Sequence, residues 1–167
     1  IGGEGIGYTY DFNEWESMLT SIQSLHSKIK MPISIVTSRR TPPEVEDLFQ
    51  LRLKNILGDY SAWFHHGDKN FNLAALLGSA INIFVTEDSA MMISESISSG
   101  KPVTTLYPSN IKSPLRYENH IYKYADLELI KRSPLHDLEL RSQQNLNARI
   151  TEYRQELAKK LMRAIEW

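Results

Sequence analysis

Apolar residues recur along this chain at two alternating spacings. Phe12, Trp15, Met18, Leu19, Ile22, Leu25 and Ile29 fall three or four apart, which predicts an amphipathic helix over 13–29. The short β-branched run Ile33-Ser34-Ile35-Val36-Thr37-Ser38 predicts a buried strand. Thr41-Pro42-Pro43-Glu44 reads as a helix start, with Thr41 as cap, prolines in the first turn and Glu44 closing a capping box. Val45, Leu48, Phe49, Leu51 and Leu53 carry that helix to Leu57, where Gly58 ends it.

The unit then repeats. Ala62-Trp63-Phe64 predicts a strand, Phe71 to Gly78 a short helix, and Ile81 to Thr86 a second apolar strand. Met91 to Ser98 predicts a helix closed by Gly100, with Met91-Met92-Ile93 in the core, and Pro102 to Tyr107 the next strand. Residues 109–139 are polar and less periodic, with a helix around Tyr117 to Tyr124, and Leu140 to Trp167 predicts one long charged helix. Strands alternating with helices call for an α/β fold: a Rossmann-like, open parallel sheet with helices on both faces. Ile1-Gly2-Gly3 reads as the end of a buried strand running into a glycine turn. The expectation is therefore a single domain over 1–167, preceded by another that this sequence does not include.

Composition narrows the partners. A formal charge of −1 over 167 residues offers no basic excess to grip a nucleic-acid backbone. The chain has no cysteine, which excludes disulfides and thiolate metal sites, and its apolar runs are too short to span a bilayer. The terminal helix mixes Arg149, Arg154, Lys159, Lys160 and Arg163 with Glu152, Glu156 and Glu166, and reads as a solvated face, not a membrane anchor.

In an open parallel sheet, ligands bind at the carboxyl ends of the strands. That rule marks Gly2 to Gly7, Thr37 to Arg40, His65 to Lys69, Thr86 to Met91 and Tyr107 to Asn110. Gly3, Gly5 and Gly7 can bring bare amides to a phosphate, although Tyr8 breaks the dinucleotide spacing. Ser38-Arg39-Arg40 offers forked donors to a diphosphate, or pairs with Glu44 and Glu46. The helix starting near Ser89 and Ala90 presents free amides and a positive dipole end. Glu95 lies along the same helix, where a carboxylate can accept two ribose hydroxyls, or where it is simply a surface residue. Asp88 reads as a helix cap. The adjacent His65 and His66 point to opposite faces if in a strand, so they do not form a metal pair, and His120 and His136 are assigned nothing. No metal or cofactor is called for.

The strand, small-residue turn and helix with Ser94-Glu95, followed by Gly100-Lys101-Pro102, resemble the nucleotide-binding domain of two-domain (GT-B) glycosyltransferases. The peptidoglycan N-acetylglucosaminyl transferase and the non-hydrolysing UDP-N-acetylglucosamine 2-epimerases share this segment. Over the whole chain, Ile1-Gly2-Gly3, Val36-Thr37-Ser38-Arg39-Arg40-Thr41-Pro42-Pro43, Val85-Thr86-x-Asp88-Ser89 and Gly100-Lys101-Pro102-Val103 resemble the family of the plant mitochondrial-fission protein. Its bacterial relatives are described as glycosyltransferases or as predicted nucleoside-diphosphate-sugar epimerases.

The resemblance implies the C-terminal, donor-binding half of such an enzyme, with the acceptor half and the catalytic base on the missing N-terminal domain. It assigns Glu95 to the ribose, Ser89 and Ala90 to the diphosphate, and the Gly3 to Gly7 turn to the phosphates or sugar. The backbone near His65 and His66 falls where the base is held, and UDP is the nucleotide it suggests. It also implies a cytoplasmic location, with any membrane attachment through the missing domain. Two departures stand out: Glu87 and Asp88 put carboxylates where a diphosphate should lie, and Met91 replaces the small residue of the epimerases. Two alternatives to the transferase reading stand beside it: an epimerase of the non-hydrolysing type, and a non-catalytic interaction module on the same scaffold.

Overall fold

The computed structural model describes residues 1–54, 62–63, 72–142 and 146–165. Its elements run β1 (Tyr8–Thr9), α1 (Phe12–Ile29), β2 (Ile35–Val36), α2 (Pro43–Leu53), β3 (Ala62–Trp63), α3 (Leu73–Ser79) and β4 (Ile83–Thr86). They continue as α4 (Ala90–Ser98), β5 (Val103–Tyr107), β6 (Asn110–Ile111), α5 (Leu115–Asp126), β7 (Ile130–Pro134) and α6 (Leu146–Ile165).

The sheet is built from parallel pairs. β4, β5 and β7 form a three-stranded parallel sheet in that order, with Ile83 opposite Val103 and Val103 opposite Ile130. β2 and β3 pair in parallel beside it, and the opening residues join the two pieces. The Ile1 nitrogen donates to the Val36 carbonyl at 2.7 Å, and the Gly2 amide donates to Thr86 Oγ1 at 2.7 Å. Ile1 and Gly2 thus lie between the ends of β2 and β4, in the manner of a strand end.

Both faces are covered, and β5 shows it. Val103 and Leu106 are an odd number of residues apart, so their side chains leave opposite faces of the strand. Leu106 packs in one cluster with Trp15, Met18, Leu19 and Ile22 of α1 and Val45, Phe49 and Leu53 of α2. Val103 packs in the other with Ile93 and Ile97 of α4, Ile121 and Tyr124 of α5, and Leu146 and Ile150 of α6. The protein is therefore a mixed α/β domain whose three-stranded parallel sheet is flanked by helices.

Several local expectations give way. Thr41 does not cap α2: Pro42 holds the N-cap position without a side-chain bond, and Thr41 Oγ1 instead donates to the Gly2 carbonyl at 2.7 Å. A hydroxyl that ties two loops together is not available to a helix end. α1, by contrast, carries a complete capping box, with Asp11 accepting from the Glu14 amide and Glu14 accepting from the Asp11 amide. The expected strand over 33–38 narrows to Ile35–Val36, because Thr37 and Ser38 already bend into the next turn. α2 ends at Leu53, with Leu57 and Gly58 outside the described residues, as is Phe64 after β3. The terminal helix begins at Leu146, not at Leu140.

The polar stretch 109–139 hides two strands. β7 completes the parallel sheet, and β6 pairs antiparallel with β1, Tyr8 opposite Ile111. Gly7 makes that small ribbon possible. Its φ is +79°, and a Cβ there would stand 2.3 Å from the Lys112 carbonyl oxygen, so no side chain fits.

Candidate functional site

The carboxyl ends of the strands bring together the Gly2 to Gly7 turn, Ser38 to Thr41, and Glu87 to Ala90. What assembles there first is a buried ionic centre. Glu87 and Asp88 follow β4 directly, and both are fully buried. A buried carboxylate is tolerated only when paired and fully hydrogen-bonded. Each has its own set of partners.

Glu87 receives a two-pronged bond from Arg132, Nε to Oε1 at 2.7 Å and a terminal nitrogen to Oε2 at 2.8 Å. The Thr105 hydroxyl donates to Oε1 at 2.7 Å and the Tyr8 hydroxyl to Oε2 at 3.1 Å. The Arg132 guanidinium lies between the rings of Tyr107 and Tyr122, 4.8 and 4.7 Å from their centroids. Its pKa is pushed above its ordinary value, chiefly by the hydrogen bonds to Glu87, so it stays charged. β7 thus delivers a cation to the carboxylate that follows β4.

Asp88 faces the other way. It accepts from the Gly3 amide at 3.3 Å and the Tyr10 hydroxyl at 3.3 Å, and forms an ion pair with Arg40 at 2.5 Å. A Cβ on Gly2 would stand 2.1 Å from its carboxylate, and one on Gly3 would stand 1.9 Å from the Arg40 carbonyl oxygen. The glycines are therefore required by the close packing of this turn against Asp88 and Arg40. Burial first, and then the two carboxylates, push the Tyr8, Tyr10 and Tyr117 hydroxyls well above their ordinary pKa, so all three remain protonated donors. The Tyr117 hydroxyl closes the centre by donating to the Glu87 carbonyl at 2.6 Å.

This arrangement corrects the reading of Asp88 as a helix cap. Ser89 is the N-cap of α4, its hydroxyl accepting from the Met92 amide, while the Asp88 side chain turns inward. It also alters the reading of the arginines. Arg40 pairs with Asp88 and not with Glu44 or Glu46, while buried Glu46 accepts from the Thr37 hydroxyl. Arg39 is exposed at the tip of the turn, with no ion-pair partner among the described residues. Ser38 is committed to the turn, its hydroxyl accepting from the Arg40 amide at 3.1 Å.

The remaining candidates divide by availability. The amides of Gly3 and Gly5 are engaged, by Asp88 and by the Tyr8 carbonyl, and Gly7 is exposed beyond them. Ser89 and Ala90 are half-buried at the start of α4, whose first-turn amides have no helical acceptor. Glu95 is exposed on the same helix, on the face it shares with Met91 and Ser98. Met91 itself is 68% exposed, against the expectation of a core position, and leaves Ile93 to fill the core. His65 and His66 lie outside the described residues.

The aromatic and cationic partners of Glu87 and Asp88 were not legible as a site. Tyr8, Tyr10, Thr105, Tyr117 and Arg132 are scattered over the chain. The one available signal was two consecutive acids after an apolar strand, which must be neutralised if buried. Among the described residues no group of acids and histidines is placed to hold a metal ion, and no helix is long and apolar enough to cross a membrane.

The sequence model of the family described as Mitochondrial fission ELM1 matches residues 1–160. An uncharacterized protein of Rickettsia prowazekii (strain Madrid E) is 32% identical over 117 residues, covering 68% of this chain and 32% of that protein. The chain thus matches about a third of the length of that relative. No solved structure matches.

Proposed function

The chain belongs to the Mitochondrial fission ELM1 family, and from that premise we propose that it is the donor-binding domain of a glycosyltransferase. It holds a nucleoside diphosphate sugar at the carboxyl edge of the sheet, with the diphosphate at the start of α4 and the ribose on Glu95. The observation that carries this reading is the exposed carboxylate of Glu95 on a helix whose N-terminus opens at that edge. The six residues from Ser89 to Glu95 span about 9 Å of helix, the scale of a diphosphate–ribose unit. Arg39, exposed on the neighbouring turn, supplies positive charge for the leaving diphosphate without a metal.

The buried ionic centre gives this reading its rigidity. Asp88 anchors the glycine turn and Arg40 from within, so Ser89 and Ala90 begin α4 at a fixed height above the sheet. The Gly3 and Gly5 amides are occupied, so the phosphates rest on α4 and on Arg39 rather than inside the glycine turn. UDP is the first nucleotide to try.

Titration calorimetry with UDP tests the reading. Glu95→Gln keeps the size but weakens acceptance of two hydroxyls, and should cost about 1–2 kcal/mol in UDP affinity. The same substitution should cost less for deoxy-UDP, which lacks one of the hydroxyls. Equal affinities in wild type and variant would remove Glu95 from the site.

A second reading has its own observation. Asp88 already neutralises Arg40 and occupies the Gly3 amide, which reduces the charge available to an anion. A scaffold stabilised in this way serves as an interaction module without a ligand. Absence of binding by any nucleoside diphosphate would favour it.

A further inference from the structure

At the opposite end of the sheet, where β7 begins, the surface forms an open cavity of about 400 Å³. Glu128, Ile130 and Lys131 line it from the start of β7, Arg141 and Ser142 from the loop before α6, and Leu146 and Arg149 from α6. Three of the side chains are cationic and one is acidic. None of them belongs to the carboxyl-edge site.

Arg141 is the residue that asks for an explanation. Its backbone is fixed by Asn82, whose side chain accepts from the Arg141 amide at 2.8 Å. The guanidinium donates to the Glu128 carbonyl at 2.6 Å and to the Val103 carbonyl at 3.4 Å. Those partners are neutral, and no carboxylate pairs with Arg141 among the described residues. Burial lowers its pKa from the ordinary value, with no opposing charge to raise it. A half-buried cation held by carbonyls alone retains unused donors and an uncompensated charge.

Its neighbours can turn toward the same space. Lys131 reaches Glu139 at 3.3 Å, and both side chains are about half-exposed or more. Arg149 pairs with Glu128, with the arginine partly and the glutamate more than half exposed. Pairs of this kind are weak in water and are readily exchanged for a better acceptor. Ser142 adds a hydroxyl to the rim.

We propose that this cavity binds a phosphate-bearing anion, with Arg141 as the fixed donor and Lys131 and Arg149 closing on it. Three cations drawn from three segments suit a tetrahedral, multiply charged group better than a planar carboxylate. The site is independent of the carboxyl-edge proposal, since it lies at the amino end of the strands and shares no residue with it.

The test follows backbone amides of the full chain by NMR while inorganic phosphate is added at constant ionic strength. Saturable shifts are expected at Lys131, Ser142 and Arg149, and not at Ser89 or Glu95. Lys131→Gln at an exposed position and Arg149→Gln at a half-buried one should each weaken the apparent phosphate affinity by about three- to tenfold. Arg141→Lys should weaken it more, because an ammonium cannot make the forked contacts. Acetate at the same ionic strength should shift these amides far less. Shifts that do not saturate, that acetate or chloride reproduces equally, or that survive all three substitutions would overturn the proposal. UDP can still bind at the other edge in that event, so the two proposals fail separately.

Discussion

Glu87 and Asp88 are neighbours in sequence, yet one is neutralised from β7 and the other from the turn after β2. Both acids sit in the turn that follows β4, and their side chains leave it in different directions, Glu87 toward Arg132 and Asp88 toward Arg40. It also means that neither acid can be lost quietly. Glu87→Gln retains the shape but leaves Arg132, only 19% exposed, without its counter-charge. The variant should lose about 3 kcal/mol of stability, read as a lower urea midpoint at unchanged slope. A loss below about 1 kcal/mol would mean that the pair is no more than a surface bridge. The tyrosines around the acids set a pH dependence. Their folded-state values are raised above the ordinary 10.0, so the unfolded chain gives up these protons first. Stability should hold below about pH 10 and fall as the pH climbs beyond it toward the folded-state values. Urea midpoints between about pH 9 and 11 should show the decline, and Tyr10→Phe should flatten it. An unchanged slope in that variant would place the titration elsewhere.

At the level of elements, the helices were the legible part and the strands after β5 were not. α1 shows its core face in Trp15, Met18, Leu19 and Ile22, all buried, and α4 shows it in Ile93 and Ile97. β7 was invisible because it reads Ile-Lys-Arg-Ser-Pro, two charges and a proline at the edge of the three-stranded sheet, where the pattern of apolar runs used to find the other strands is missing. The structure explains the charge: Arg132 leaves the strand toward Glu87, and Lys131 toward the exposed side. Caps were misread for a related reason. Thr41 and Asp88 both had the chemistry of a cap, and both are spent on contacts with the glycine turn. The capping box of α1, Asp11 with Glu14, is purely local and was present in the sequence all along. Asp11→Ala removes it and should cost about 1 kcal/mol, measured by thermal or urea unfolding. No change would show that α1 is held by its packed face alone, through the buried Trp15 ring stacked 4.7 Å from Tyr10.

For the molecule as a whole, the alternation of apolar runs was enough to expect a parallel sheet covered on two faces, and the two clusters around Leu106 and Val103 meet that expectation. The site was legible only as a location. Sequence spacing marked the turns at the carboxyl ends, and the chain does bring Gly3, Arg40 and Asp88 together there. It could not tell which donors are already spent, because the Gly3 amide and Arg40 are both taken by Asp88, which lies far from them in sequence. Arg39, Glu95 and the start of α4 stay available at this edge among the described residues. The central claim is that these three receive a nucleoside diphosphate, and a paired calorimetric titration with UDP and with NAD tests it most directly. The account predicts saturable UDP binding that Glu95→Gln weakens, with NAD weaker, because Tyr8 stands where the dinucleotide turn needs a small residue. NAD binding more tightly than UDP, or UDP binding with the same affinity in the Glu95→Gln variant, would contradict it.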